Sequence, residues 1–294
     1  MKKIFFSACL SMSYMLYGQI ESLQEPLQQI ANSKKATVSV AVRDLISGEE
    51  IGILQNKRLP LLSVFKIHVA LAVLRQVDQG HIGLNDKILI TSEMLPPNTW
   101  SPMREKYADG KSFISIEELL DYMVAQSDNN ATDILIDKIG GLKAIIGDPE
   151  LTESSDIELK HNEASMHLTE KHLYENSGTT RGLVNTLQKI HEVKLLSQST
   201  NDLLKNMMFK TSTGNNKLRA GLPANTKIAH KTGSSGQNVE GLTIAENDAG
   251  IVYLPNGKTY AIAVLVSDSK ESPEANTKII ADISKTVYNY FSKK

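Results

Sequence analysis

The sequence predicts an α/β chain of the α+β kind: an antiparallel sheet flanked by helices, with an all-α domain inserted into it. Three observations carry this. Strand patterns gather near the two ends of the chain. The stretch from about 85 to 210 has helical spacing interrupted by long loops. Turn signals join strands that are neighbours in sequence, which makes those pairs antiparallel. The expected division is an α/β domain from 19–58 and 212–294, and an all-α domain from 59–211.

Residues 1–18 read as a signal peptide. Lys2 and Lys3 are its positive start, Ile4 to Leu16 is its apolar core, and cleavage is expected after Gly18, before Gln19. The apolar run is too short to span a bilayer and no later run qualifies. A secreted, periplasmic chain without a stable membrane anchor is expected. Removing the leader takes two lysines and no acid from a net charge of −1. A balance so near neutral gives no electrostatic reason to bind nucleic acid. The single cysteine, Cys9, falls inside the leader. The mature chain is therefore expected to hold no disulfide, no Cys nucleophile and no Cys-ligated metal. With 41% hydrophobic residues it can build a large core.

After the leader, Leu23, Leu27 and Ile30 mark an amphipathic helix over Glu21 to Ala31. Ala36 to Val42 alternates, with Val38, Val40 and Val42 on one face of a strand. Ser47-Gly48 turns the chain into a partner strand over Glu50 to Leu54. Ser63 opens a helix running from Val64 to Val77, which Gly80 ends. Ile116 to Ala125, Asn130 to Ile139, Leu183 to Lys194 and Thr200 to Phe209 follow as helices. Beyond Pro223 the pattern changes to strands: Ile228 to Thr232, Asp248 to Leu254 and Tyr260 to Val266, the last two joined by a Pro255-Asn256-Gly257 turn. Asn276 to Phe291 is a closing helix.

Three short motifs lie in order along these elements: Ser63-Val64-Phe65-Lys66, Ser127-Asp128-Asn129 and Lys231-Thr232-Gly233. Each alone is common. A serine after a loop is usually a helix cap, and Ser-Asp-Asn suits a plain turn. Together they describe a nucleophile and its surroundings. A serine hydroxyl reacts only when a base takes its proton. Lys66, three residues on, shares a helical face with Ser63. A neutral lysine there needs burial or neighbouring cations, and Lys231 is a candidate neighbour. A strand ending in Lys231-Thr232-Gly233 can pair with an extended substrate through its backbone, with Gly233 permitting close approach.

This ordered set resembles the S-x-x-K, S-D-N and K-T-G motifs of class A serine β-lactamases and penicillin-binding proteins. The resemblance covers nearly all the mature chain. It implies the serine β-lactamase/D,D-peptidase-like fold and hydrolysis of penicillins and cephalosporins, with β-lactam antibiotics as the partners, no cofactor and a monomer. It implies that Ser63 is the nucleophile and that Ser127 passes a proton to the leaving nitrogen. Asn129 would bind the substrate's side-chain amide. The backbone N–H groups of Ser63 and Ser234 would form the oxyanion hole, and the Thr232 and Ser234 hydroxyls would hold the substrate carboxylate. Lys217 or Arg219 would add a cation beside them. Trp100, the only tryptophan, is either core or an aromatic guard of the cleft.

Asn162-Glu163-Ala164-Ser165-Met166-His167 resembles the class A omega loop, whose glutamate orients the deacylating water. Glu163 is the match. Either Lys66 or Glu163, through water, would be the base for acylation. The loop departs from the family pattern. His161 stands where an arginine is usual, His167 where an asparagine is usual and Asn176 where an aspartate is usual. The Arg–Asp bridge across the loop neck cannot form. Similar departures mark the PER-like extended-spectrum branch, which the chain also resembles at Thr99-Trp100-Ser101-Pro102 and at His230-Lys231-Thr232-Gly233. A loop without that bridge is expected to widen the cleft and admit oxyimino-cephalosporins. None of the seven histidines falls into H-x-H-x-D or H-E-x-x-H, so catalytic zinc is not expected. The rival readings are a D,D-peptidase or penicillin-binding protein, a β-lactam sensor domain and, more remotely, a serine-dependent glutaminase.

Overall fold

The computed structural model describes residues 23–153 and 156–293. The expected leader and its cleavage point lie outside them. Among the described residues no helix is long and apolar enough to cross a membrane.

A helix over residues 23–32 (α1) leads into strands β1, Thr37–Asp44, and β2, Glu50–Ile53. The remaining sheet strands come from the far end of the chain: β3, Lys227–Ser234; β4, Thr243–Tyr253; and β5, Thr259–Ser269. The order is β2-β1-β5-β4-β3 with every pairing antiparallel, so β3 is an edge strand. The closing helix, Pro273–Lys293, begins three residues before the expected Asn276.

Both faces of the sheet are buried, which sets its composition. Val38, Val40 and Val42 pack with Ile262 and Val264 against Leu23, Leu27 and the closing helix's Ile279, Ile280 and Ile283. The opposite face presents Ala41, Ala249, Ala261 and Ala263 to the segment inserted between β2 and β3. Small side chains let the helix Thr180–His191 lie close to that face. A strand covered on both sides loses apolar-polar alternation, and β5 is buried almost throughout.

The inserted segment is organised around α2, Lys66–Asp78, in which every residue from Lys66 to Leu74 is buried. A helix apolar all round belongs inside a core. Its His68 is buried with it, and burial pushes the imidazole down to about 4, so it is neutral. Helices α3, Ile116–Ala125, and α4, Asn129–Lys138, pack around α2. The segment is not purely helical. Lys87–Leu89 pairs with Phe113–Ser115, and Ser177–Gly178 pairs with both Leu59–Pro60 and Ile157–Glu158. These ladders are two or three residues long, too short for a period to show in sequence.

Candidate active site

Ser63 does not open an α-helix, as the sequence suggested, nor does it cap one. It sits in a 3-10 turn, Leu62–Phe65, and α2 begins at Lys66. The conclusion about Lys66 survives, because residues i and i+3 eclipse in a 3-10 turn. Leu62, just before the serine, has φ of 46°. A leucine in the left-handed region carries strain, of a kind that persists where surrounding packing fixes it. That packing is β3. A Cβ added to Gly233 would lie 2.7 Å from the Leu61 carbonyl oxygen and 3.1 Å from the Ser63 nitrogen. Only glycine lets the edge strand approach the Ser63 backbone this closely. Ser235 N–H bonds to β4 at the Ala245 carbonyl, 2.9 Å. The neighbouring Ser234 N–H therefore points the other way, off the free edge.

Lys66 is fully buried and richly contacted. Its Nζ donates to the Ser127 carbonyl at 2.7 Å and to Asn129 Oδ1 at 2.6 Å, and lies 3.0 Å from Glu163 Oε1. Ser127 has φ of 59°. Its Oγ accepts from Lys231 Nζ at 2.9 Å and stands 3.5 Å from Lys66 Nζ. With lone pairs facing two amines, its own proton is free to point into the cleft. Asn129 Nδ2 donates to Thr99 Oγ1 at 2.7 Å, which leaves one amide N–H unused. Asp128 holds the loop: its carboxylate accepts from Ala131 N and Met103 N and from the Ser101 hydroxyl. Burial raises its pKa.

Glu163 opens a short helix, Glu163–Met166, capped by Asn162. Asp133 on α4 fixes it by accepting from Glu163 N at 2.7 Å and Ala164 N at 2.8 Å. Burial pushes the Asp133 carboxyl up to about 6, against those two hydrogen bonds. Burial opposes ionisation of Glu163 too, but Lys66 and His167 outweigh it and hold its carboxyl below the ordinary range. His167 Nε2 is 3.3 Å from Glu163 Oε2. A carboxylate offers about four lone-pair sites, so these two contacts leave room for a water. The loop neck is closed without an ion bridge of the usual kind. Asn176 Oδ1 accepts from Lys160 N and His161 N, and its Nδ2 donates to the His161 carbonyl at 2.7 Å.

Ser63, Ser127, Asn129, Thr232, Ser234, Lys217 and Trp100 line one cleft of about 790 Å³. Lys66, Lys231 and Glu163 lie in the buried network beneath it. Trp100 is not core: it is 59% exposed at the cleft, with its indole N–H donated to the Gln126 carbonyl. Burial, then the Lys66 and Lys217 cations, push Lys231 well below the usual lysine range. Arg219 is committed to the carbonyls of Leu222, Pro223 and Thr226. Lys217 reaches the cleft but is ion-paired with Glu246 at 2.5 Å, and the Ser234 hydroxyl donates to the same carboxylate at 2.9 Å. The expected carboxylate-binding roles of Lys217 and Ser234 are thus met by a competing group inside the protein.

Glu246 and Asp133 were not singled out in the sequence, and Thr99 stood there only as part of a resembling segment, with no role. Glu246 carried a signal: Glu246-Asn247-Asp248 is a polar run, and all three side chains are buried in β4. The one group of three metal-ligand side chains found among the described residues is His161, His172 and Glu175, with ligand atoms within 4.8 Å. The two rings stack nearly parallel at 4.1 Å, so their in-plane lone pairs run side by side rather than converge.

A buried lysine beside a strained serine turn, a second serine between two amines and an ion-paired glutamate define a serine acyl-transfer enzyme. The particular family is shown by likeness along most of the chain. A family profile described as "Beta-lactamase enzyme family" matches residues 22–291. A β-lactamase of Bacteroides uniformis is 42% identical, covering 92% of each chain. The extended-spectrum β-lactamase PER-1 of Pseudomonas aeruginosa is 37% identical over 96% of this chain and 91% of its own. The crystal structure of TLA-3 extended-spectrum β-lactamase superposes with a TM-score of 0.90 at 39% identity, covering 92% of this chain and 98% of that one. The chain belongs to the β-lactamase family, in its class A branch.

Proposed function

We propose that this protein hydrolyses the β-lactam ring of penicillins and cephalosporins, including oxyimino-cephalosporins, and so confers resistance to them. Ser63 Oγ attacks the lactam carbonyl while its proton passes through water to Glu163, or to Lys66 after Lys66 has handed its own proton to Glu163. The two are 3.0 Å apart, so a proton taken by one can reach the other. The ring C–N bond breaks and its nitrogen takes the Ser127 proton, which Lys231 and Lys66 can replace. The oxyanion is held by the N–H groups of Ser63 and Ser234. Water then attacks the Ser63 ester, Glu163 accepts its proton, and Ser63 leaves reprotonated. Every group comes from one chain, so a monomer suffices.

The observation that carries this reading is Glu163: a buried, ionised carboxylate against Lys66, under the cleft that contains Ser63. The resemblance gives a D,D-peptidase no loop glutamate of this kind and slow release of a β-lactam acyl group, and a sensor domain that stays acylated has no need of one. Purified protein should turn over a chromogenic cephalosporin, and Ser63→Ala should abolish turnover without lowering Tm. Acylation without release would move the assignment to the peptidase or sensor reading. Asn176 ties the loop through neutral hydrogen bonds, and the cleft falls within the roughly 300–1,000 Å³ that suits drug-sized ligands. The kcat/KM for cefotaxime should then lie within about tenfold of that for a simple early cephalosporin, a gap of about 1.4 kcal/mol. A deficit of several orders of magnitude would reject the open cleft and leave the hydrolase standing.

A further inference from the structure

The end of the cleft built from β3 is chemically closed in an unusual way. Lys217 has three N–H groups and three acceptors for them: the Gly233 carbonyl at 2.9 Å, the Asn247 carbonyl at 3.1 Å and Glu246 Oε1 at 2.5 Å. The Ser234 hydroxyl gives its proton to Glu246 Oε2 at 2.9 Å, and its oxygen accepts from Gly236 N–H at 3.2 Å. Glu246 faces Ser234 across the β3–β4 ladder, so its carboxylate is held where both can reach it. The Thr232 and Thr213 hydroxyls share one proton between oxygens 2.6 Å apart, leaving one O–H to offer. Glu274, exposed at the start of the closing helix, lines the same cavity. An anionic substrate group arriving here meets two carboxylates and one cation whose donors are all in use.

We propose that Glu246 sets a charge preference in this cleft, disfavouring purely anionic β-lactams and favouring those that carry a fixed cation beside their carboxylate. This rests on the β-lactamase reading and deepens it. A quaternary nitrogen next to the substrate carboxylate places positive charge near Glu246 and Glu274, and offsets the repulsion that the carboxylate feels. A purely anionic substrate has no such offset and must compete with Glu246 for Lys217 and Ser234. Glu246 acts here on binding, as a specificity-determining residue, and takes no part in the bond-breaking steps.

Cephalothin and cephaloridine test this directly, because they share an acyl side chain and differ in a neutral or pyridinium substituent at C3. Their ratio of kcat/KM in the parent absorbs any difference in intrinsic reactivity, and the variants report the change. In Glu246→Gln the cephaloridine-to-cephalothin ratio should fall about fivefold or more, mainly through a lower KM for cephalothin, as Lys217 and Ser234 become available. In Glu274→Gln, on an exposed side chain, it should fall about twofold and lose that effect in high salt. If Glu246→Gln leaves Lys217 unpaired and fails to fold, the double variant Lys217→Met/Glu246→Gln removes both buried charges, and its ratio should fall as well. A structural defect would slow both substrates equally and leave the ratio alone. An unchanged ratio in every folded variant, with both substrates still hydrolysed, would overturn the proposal. Failure of the parent to hydrolyse either substrate would instead overturn the β-lactamase reading.

Discussion

Around Ser127 two buried amines and one buried carboxylate share a few ångströms of space, and each group's state depends on the others. Glu163 stays ionised because Lys66 and His167 outweigh the cost of its burial. Lys231 is pushed down by burial and by Lys66 and Lys217. A group held this way is suited to pass protons, and Ser127 Oγ lies in hydrogen-bond contact with Lys231. Glu163 is the member whose loss should separate the two half-reactions. Glu163→Gln keeps the shape and removes the base. Acylation can continue through the neutral form of Lys66, while deacylation should slow by about 10²–10⁴-fold. Mass spectrometry after brief penicillin exposure should show Ser63 carrying the added mass; free enzyme with normal turnover would place the base elsewhere.

Elements set the distances at which those residues act. The edge strand β3 reaches the serine turn only because position 233 has no side chain. Gly233→Ala would press a methyl group against the Leu61 carbonyl and the Ser63 nitrogen, backbone atoms that cannot swing aside. Overpacking of this kind typically costs about 1–3 kcal/mol, and displacing the proposed oxyanion donors, Ser63 N–H and Ser234 N–H, should lower kcat about 10²-fold. Urea melts and steady-state kinetics read the two effects separately. The loop helix Glu163–Met166 depends likewise on Asp133. Burial pushes its carboxyl up to about 6 in the folded protein, from the ordinary 3.8. Between those values the folded state holds a proton that the unfolded state has released, so this group's contribution to stability falls as pH rises through the window. Asp133→Asn removes that slope while keeping one acceptor. The Tm difference between variant and parent should therefore move in the variant's favour from about pH 4 to pH 7. A difference independent of pH would mean that Asp133 titrates normally.

At the scale of the whole molecule, stability rests on a sheet buried on both faces and on α2, buried from Lys66 to Leu74, not on cross-links. The sequence has one cysteine, in the expected leader, and among the described residues the His161 and His172 rings stack while Glu175 is bound to His161 Nε2. Dithiothreitol and EDTA should therefore leave both Tm and kcat of the mature protein within error of the untreated sample. Loss of activity that zinc alone restores would show that the serine mechanism is incomplete.

Much of this was legible in the residues themselves. The valine alternation of β1, the helix over Ile116–Ala125 and the ordered Ser-Lys, Ser-Asp-Asn and Lys-Thr-Gly motifs are local patterns, and local spacing is what a sequence records directly. The proposed nucleophile and its lysine rest on those motifs and on the family they resemble, and the loop glutamate rests on that resemblance alone. The register of β3 against β4 was not legible. The polar run Glu246-Asn247-Asp248 reads as loop, so the strand was expected to start at Asp248 and in fact starts at Thr243. Ser234 and Lys217 engage Glu246, His230 engages Asp248, and the Pro60 and Leu61 carbonyls accept from Asn247 Nδ2, all from elsewhere in the chain. Burial of a polar group is decided by its partners, and the partners are assembled only when the two ends of the chain close into one sheet. The sequence therefore determined which residues could react. The tertiary structure decided that Lys217 and Ser234 are already engaged by Glu246, and that the loop neck is closed by Asn176 hydrogen bonds and a His161–Glu175 contact instead of an Arg–Asp bridge.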